Sequence, residues 1–479
     1  MTFTLLAITH NTPKGVGRDV FNYLGPFLHR METPVGILGL AFAAVLAYYC
    51  LYGKRGIQVA LALATLTGMV GYFVNKYQNN TLIPMLESFR TICKPAFVFL
   101  IGLLAFRFIL NREMFRWAQP RRSIYAFLAL QIAFSLRMVN FAPERMIGTL
   151  LLNLALFLGL FQLLRRWATS GQDIVDIAFA LVAGGLGFYF LSAIQLVLGN
   201  PHHIVFAGRF CGIAQNPQYT GEVTALLILC ANFVIISGYS AAWQKLVGLS
   251  AACIMLPFML WTGSRTAMGM CALGLLIFYR VSVRRWVIFA VVGLAAYEGY
   301  KNFINPGGRA VGHLLSTQND RGTQWSKGIA VFLQHPILGN SAAQSLVECS
   351  YIVAAAALGS VGIILLVILL ANVARDIIFV FTHRSVLDPE LRKASEFICA
   401  IVIAGAGGMT FDAFLFATAT TQAILNWTSL ALLAVACDVV EARMAGFNAA
   451  SLVGGASGSI PNRGTGVPVP QMVIGQTSS

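Results

Sequence analysis

The chain has 479 residues, 57% of them hydrophobic and only 11% charged, with a mean hydropathy of +0.74. These values exclude an ordinary soluble globular domain and define a polytopic membrane protein, all-α in fold class. The net charge of +15 would suit nucleic acid, but most Lys and Arg stand in short loops between apolar runs, where they orient a chain in the bilayer; no nucleic-acid partner is expected.

Residues 1–32 are broken by Pro13, Gly15, Gly17 and Gly25 and carry Arg18, Asp19 and Arg30, which reads as an interfacial lead-in rather than a cleavable signal or a span. Apolar runs of spanning length follow at about 33–52, 56–75, 95–111, 123–140, 146–164, 174–198, 221–239, 246–262, 266–280, 285–300, 349–372, 395–411 and 419–439. This gives 12–13 transmembrane helices: residues 33–300 hold the first group, 301–347 a large outer loop, and 348–441 the C-terminal group. Residues 442–479, rich in Gly, Ser and Pro, read as a disordered tail.

Basic residues set the orientation. Lys54/Arg55, Arg112 to Arg122, Arg165/Arg166, Lys245, Arg280 to Arg285 and an Arg375–Lys393 loop fall on one side of alternating spans, which is the cytoplasmic side. The tail then lies in the cytoplasm, and the loops at 199–220, 262–266, 301–348 and 412–418 lie outside. The nine cysteines sit mostly within apolar runs and form no CxxC, so they read as small buried residues; Cys211 and Cys349 lie near polar loops, where they could pair.

Within the long outer loop, Arg321, Trp325 and Ile329 recur at i, i+4 and i+8, the pattern of a surface-lying helix with one face defined. Glu348 follows at the mouth of an apolar helix, where a lone carboxylate is costly and therefore functional. Its explanations are an interfacial charge, an arginine's partner or a general base, with Glu222 and Asp412 able to serve as base instead. Arg209 stands in GRFCGIAQNPQYTGE, where Asn216-Pro217 breaks the chain before the next helix and Thr220 can cap it. Arg265 stands in the turn TGSRTA with Ser264 and Thr266 beside it. Three converging guanidiniums would hold a pyrophosphate without a metal, whereas any one of them alone reads as a headgroup-binding residue. Asn216, Tyr219, Ser264, Trp325 and Tyr351 complete the candidate binding set, Trp325 and Tyr351 either as sugar-stacking rings or as members of an aromatic belt. His202 and His203 are adjacent, a spacing that makes no helical ligand pair, and no metal site or cofactor is expected.

The arginine loop ending in Asn216-Pro217, the Ser264-Arg265 turn, the Arg321…Trp325…His335-Pro336…Gly339 run and the helix closing with Gly359…Gly362 resemble the O-antigen ligase and Wzy-type polysaccharide polymerase family of bacterial inner-membrane glycosyltransferases. The likeness covers residues 205–365. It implies donors and acceptors linked to undecaprenyl diphosphate, a periplasm-facing site, and metal-independent transfer with inversion. Arg209, Arg265 and Arg321 would hold the diphosphate, and Glu348 would take the acceptor proton. A co-polymerase and a flippase are the partner proteins such a pathway implies. Ligases of the family resemble one another in a histidine near the start of the helix that Glu348 opens; this chain has Glu348-Cys349-Ser350, which favours a polymerase over a ligase acting on lipid A core or protein. A flippase or transporter for a lipid-linked sugar is the alternative from another class.

Overall fold

The computed structural model describes residues 34–71, 82–111, 121–139, 143–199, 203–206, 208–279, 287, 291, 321–340 and 348–455. The lead-in, the expected span at 285–300 apart from Val287 and Val291, and the loop before Arg321 lie outside them. The described chain is helical, apart from one two-stranded hairpin.

In chain order, α1 spans Pro34–Tyr52, α2 Gly56–Val70, α3 Pro84–Leu110 and α4 Arg122–Leu136. Next, α5 (Pro143–Leu156) passes through a π-helical stretch, Phe157–Gln162, into α6 (Leu163–Trp167), and α7 spans Gly171–Leu198. The hairpin β1 (Val205–Phe206) and β2 (Arg209–Phe210) leads to α8 (Pro217–Ile236), α9 (Ala242–Trp261) and α10 (Arg265–Tyr279). The last four are α11 (Arg321–Gln334), α12 (Ser350–His383), α13 (Pro389–Met409) and α14 (Thr421–Gly455).

Among the described residues, seven helical stretches are long and apolar enough to cross a membrane: Pro84–Leu110, Arg145–Trp167, Gly171–Leu198, Pro217–Ile236, Ala242–Trp261, Ser350–Val386 and Thr421–Ala445. Shorter apolar helices, Ala41–Tyr52, Gly56–Val70, Arg122–Leu136 and Arg265–Tyr279, coincide with further expected spans. The protein is thus a helical membrane protein. Its packing centres on Trp427 of α14, 1% exposed, whose ring meets Phe127 edge-on at 4.7 Å. Phe233 of α8 stacks on Phe397 of α13 at 4.3 Å.

Three boundaries differ from expectation, each because a helix tolerates polar residues where a hydropathy window does not. Helix α3 begins at Pro84, not 95, with Arg90 and Glu87 bonded at 2.6 Å on its surface and Pro95 inside it. Helix α12 runs through Arg375 and Asp376 to His383, so the expected Arg375–Lys393 loop shrinks to a 3-10 turn at Arg384–Val386 and the Asp388 cap of α13. Helix α14 continues to Gly455, past the boundary expected at 441.

The contacts sort the loops onto two ends of the bundle. At one end Arg107 donates to the carbonyl oxygens of Cys50 and Gly53, Arg121 and Arg165 both reach Asp438, and Glu390 accepts from the Gly238 amide. This end collects the basic loops. At the other end lie the turn between α9 and α10, the start of α12 and the turn after α13.

Candidate functional site

The turn between α9 and α10 organises the site. Gly263 supplies its positive φ of 61°, and Ser264 Oγ accepts from the Ala267 amide, capping α10 so that Arg265 is its first residue. A Cβ on Gly221 of α8 would stand 2.7 Å from Thr262 Oγ1, so the turn rests directly on that helix.

All three predicted arginines meet this turn. Arg209 leaves β2 and its Nε donates to the Thr262 carbonyl at 2.6 Å. Arg265 belongs to the turn itself. Arg321, the first residue of α11, donates to Thr266 Oγ1 at 3.1 Å, lies 5.6 Å from the Phe411 ring centroid and has its Nε 4.0 Å from Glu348 Oε2. Arg265 and Arg321 line a cavity of about 450 Å³ whose other walls include Gly269, Met270, Leu273 and Phe411. Arg209 holds the turn from the Thr262 side and is not among the residues lining the cavity. The cavity is therefore cationic at one edge and apolar over the rest of its surface.

The outer-loop helix is formed as its periodicity predicts, but its inward face differs. Gly328 is buried, and Arg321, Gln324 and Trp325 are partly buried, whereas Ile329 is 50% exposed. The i+3, i+7 neighbours of Arg321 turn inward and Ile329 joins Leu333, Ile337 and Leu338 in an exposed apolar row. That row suits a helix lying at a lipid surface. Trp325 packs near Phe411, ring centroids 6.3 Å apart, with its Nε1 buried and lacking a hydrogen-bond partner among the described residues.

The start of α12 is tied to the turn after α13. Ser350 Oγ donates to the Asp412 carbonyl at 2.7 Å and accepts from the Leu415 amide at 3.1 Å, placing Glu348 beside the same turn. Glu348 has 47% of its side chain exposed. Behind it, Glu222 of α8 is 1% exposed and accepts from the Gln422 side chain at 3.2 Å and from Gln218 at 3.4 Å. Asp412, partly exposed, has its carboxyl pushed above the usual carboxylate range by burial.

The run from His335 to Gly339 and the glycines of α12 meet in one motif. Gly359 interrupts α12 with φ 64° and ψ −145°, and the turn of residues 336–340 fills the break. Ser360 N donates to the Pro336 carbonyl and Asn340 N to the Ala356 carbonyl, each at 2.7 Å. Arg137, next to the end of α4, donates to the Ala357 and Gly339 carbonyls at 3.3 and 2.8 Å. A Cβ on Gly359 would sit 2.5 Å from the Ile337 carbonyl, so neither chain can approach so closely with a larger residue.

Several predicted residues have structural posts. Asn216 caps α8, accepting from the Gln218 and Tyr219 amides, while Thr220, the expected cap, instead donates to the Cys211 carbonyl. Tyr219 is buried, its hydroxyl donating to the Gly68 carbonyl and accepting from the Thr421 amide. Tyr351 donates to the Ala406 carbonyl at 2.6 Å. Cys211 and Cys349 are buried free thiols rather than a pair. Among the described residues, no group of three His, Cys, Asp or Glu side chains gathers as a metal site. Thr266 and Phe411, which seat Arg321, carried no sequence signal beyond their place next to a turn.

Comparison with models of known protein families and with curated proteins finds no match for this chain.

Proposed function

We propose that the protein is a glycosyltransferase of the bacterial inner membrane, a polysaccharide polymerase that transfers glycan from undecaprenyl diphosphate to a hydroxyl of an acceptor repeat unit at the periplasmic face. The observation that carries this reading is the cavity with Arg265 and Arg321 at one edge and Met270, Leu273 and Phe411 over the rest. A guanidinium fork matches phosphate oxygens, and an apolar wall matches an isoprenoid chain. In this reaction the acceptor oxygen attacks the anomeric carbon and the bond from that carbon to the diphosphate breaks, its electron pair passing to the diphosphate. The two arginines meet that charge as it develops, which is where electrostatic preorganisation contributes most. Arg209 acts by holding the turn that carries Arg265, and Trp325 lies close enough to Phe411 to border the sugar path. Glu348, beside Arg321, is the sequence-based candidate for the base. The residues present at the site do this work without calling on a metal.

The test uses the full chain reconstituted in liposomes with a synthetic undecaprenyl-diphosphate-linked repeat unit. The expected result is release of undecaprenyl diphosphate with growth of the lipid-linked glycan by whole repeat units. Release that requires lipid A core or protein as acceptor would replace polymerase with ligase. Movement of intact donor across the bilayer with no release would replace the enzyme with a transporter.

A further inference from the structure

We infer that the second half of α11 and the turn after it form a re-entrant segment seated among the acyl chains of the leaflet at the cavity end, so that the partner of the exposed row Ile329, Leu333, Ile337 and Leu338 is the lipid itself. The inference rests on the helical membrane fold and not on the glycosyl-transfer reading.

The depth of the segment follows from where it docks. Helix α12 belongs to a stretch apolar enough to cross a membrane, and the large side chains it exposes beyond its break, Val361, Ile364, Val367, Ile368 and Leu370, are all apolar. It starts at Ser350 and breaks at Gly359, so at 1.5 Å per residue the break lies roughly 14 Å along it. The turn after α11 is fastened at that level: the Pro336 carbonyl accepts from both the amide and the hydroxyl of Ser360, each at 2.7 Å. Ile337 and Leu338, 72% and 59% exposed, therefore continue the apolar face that begins at Val361.

The backbone around the break is treated as it must be in lipid, where irregular structure survives only if its polar groups are satisfied within the protein. Besides the Pro336 carbonyl, the Ala356 carbonyl accepts from the Asn340 amide, and the His335 carbonyl from the Gly339 amide. The Ala357 and Gly339 carbonyls take the guanidinium of Arg137, a charged group spent on two neutral oxygens. A break facing water needs no such provision, because solvent supplies the donors.

Charge along α11 follows the same gradient. Arg321 and Lys327 stand in its first half, with the exposed Thr323 and Ser326, whereas from Gly328 to Asn340 the chain has no Lys, Arg, Asp or Glu. A helix entering lipid obliquely keeps its charges at the headgroups and its apolar row below them. Arg321 begins this helix, so the arginine edge of the cavity lies at the headgroup level of that leaflet.

Photolabelling of the full chain in nanodiscs tests this with two carbene reagents, one carried at the end of a phosphatidylcholine acyl chain, the other small and water-soluble, with insertion mapped by mass spectrometry. The lipid-borne carbene should mark residues 329–338 along with the exposed face of 361–370. The aqueous one should mark 323–327 and spare 329–338. Aqueous labelling of 329–338 as strong as that of 323–327 places the row in water and overturns the inference. A row that neither reagent marks is covered by protein, and that result overturns it too. Neither readout depends on turnover, so loss of this inference would leave the enzymatic reading to its own assay.

Discussion

The two ends of the bundle use the same residue types to opposite effect. At the end that collects the basic loops, cations and carboxylates meet in short pairs: Arg121 to Asp438 at 3.0 Å and to Glu441 at 2.9 Å, Arg165 to Asp438 at 2.7 Å, Arg384 to Glu396 at 3.2 Å. Around the cavity, Arg209 reaches the Thr262 carbonyl and Arg321 reaches Thr266 Oγ1, while Arg321 and Glu348 stand 4.0 Å apart. Opposite charges in short contact stabilise a fold. Guanidiniums at a cavity edge place positive charge where an anion can meet it.

The largest expected effect breaks the comparison at the arginines. Either Arg265→Ala or Arg321→Ala should cut release of lipid diphosphate by about 10²–10³-fold, the scale of one lost oxyanion contact. Arg165→Met, at the opposite end, should leave turnover per folded molecule near wild type. Equal losses from all three variants in the same liposome assay would erase the distinction between the ends.

Stability should show the reverse ranking. Asp438→Asn leaves Arg165, whose side chain is 9% exposed, without its carboxylate, and should cost about 1–3 kcal/mol. Thermal unfolding of detergent-solubilised protein measures this, with turnover retained in the folded fraction. Gly359→Ala lies between the two classes. Its φ of 64° and the 2.5 Å approach to Ile337 penalise any Cβ, by about 1–3 kcal/mol for the backbone conformation alone. Because the same turn follows the helix carrying Arg321, turnover should fall along with the melting temperature, unlike in Asp438→Asn.

How much of this was legible in the sequence depends on the range of the interaction concerned. Apolar runs locate the helices because burial in lipid is a local property of composition. The TGSRTA turn was legible because Gly263, Ser264 and Arg265 each do their work within three residues. The break in α12 was half visible: glycines mark a special backbone, but which segment fills it depends on chain some twenty residues away. The contact of Gln422 with Glu222 had no local pattern, since helix packing alone brings α14 to α8. Tyr219 and Tyr351 were assigned to substrate because a tyrosine in sequence looks the same whether its hydroxyl meets a sugar or a backbone carbonyl, and here both meet carbonyls. Hydropathy similarly hid the polar first turns of α3, where Arg90 and Glu87 pair with each other one turn apart.

The smallest expected effect is also the one that most directly sharpens the contrast between the ends, because it concerns the sign of a pH dependence. At the basic end, the hydrogen bond from Lys393 holds the Glu390 carboxyl below the usual carboxylate range, helped by the Gly238 amide. A carboxyl lowered on folding contributes stability above its ordinary value of about 4.3, and that contribution is lost as pH falls through the lowered value. Asp412 is raised instead, by burial. Its contribution is complete below the ordinary Asp value of about 3.9 and is lost as pH rises through the raised value, where burial penalises the charged form. Melting temperature followed against pH should therefore lose its acid-side fall in Glu390→Gln and its rise-dependent fall in Asp412→Asn, each variant flattening a different limb. Two variants that flatten the same limb would mean that the carboxyls at the two ends answer to one environment.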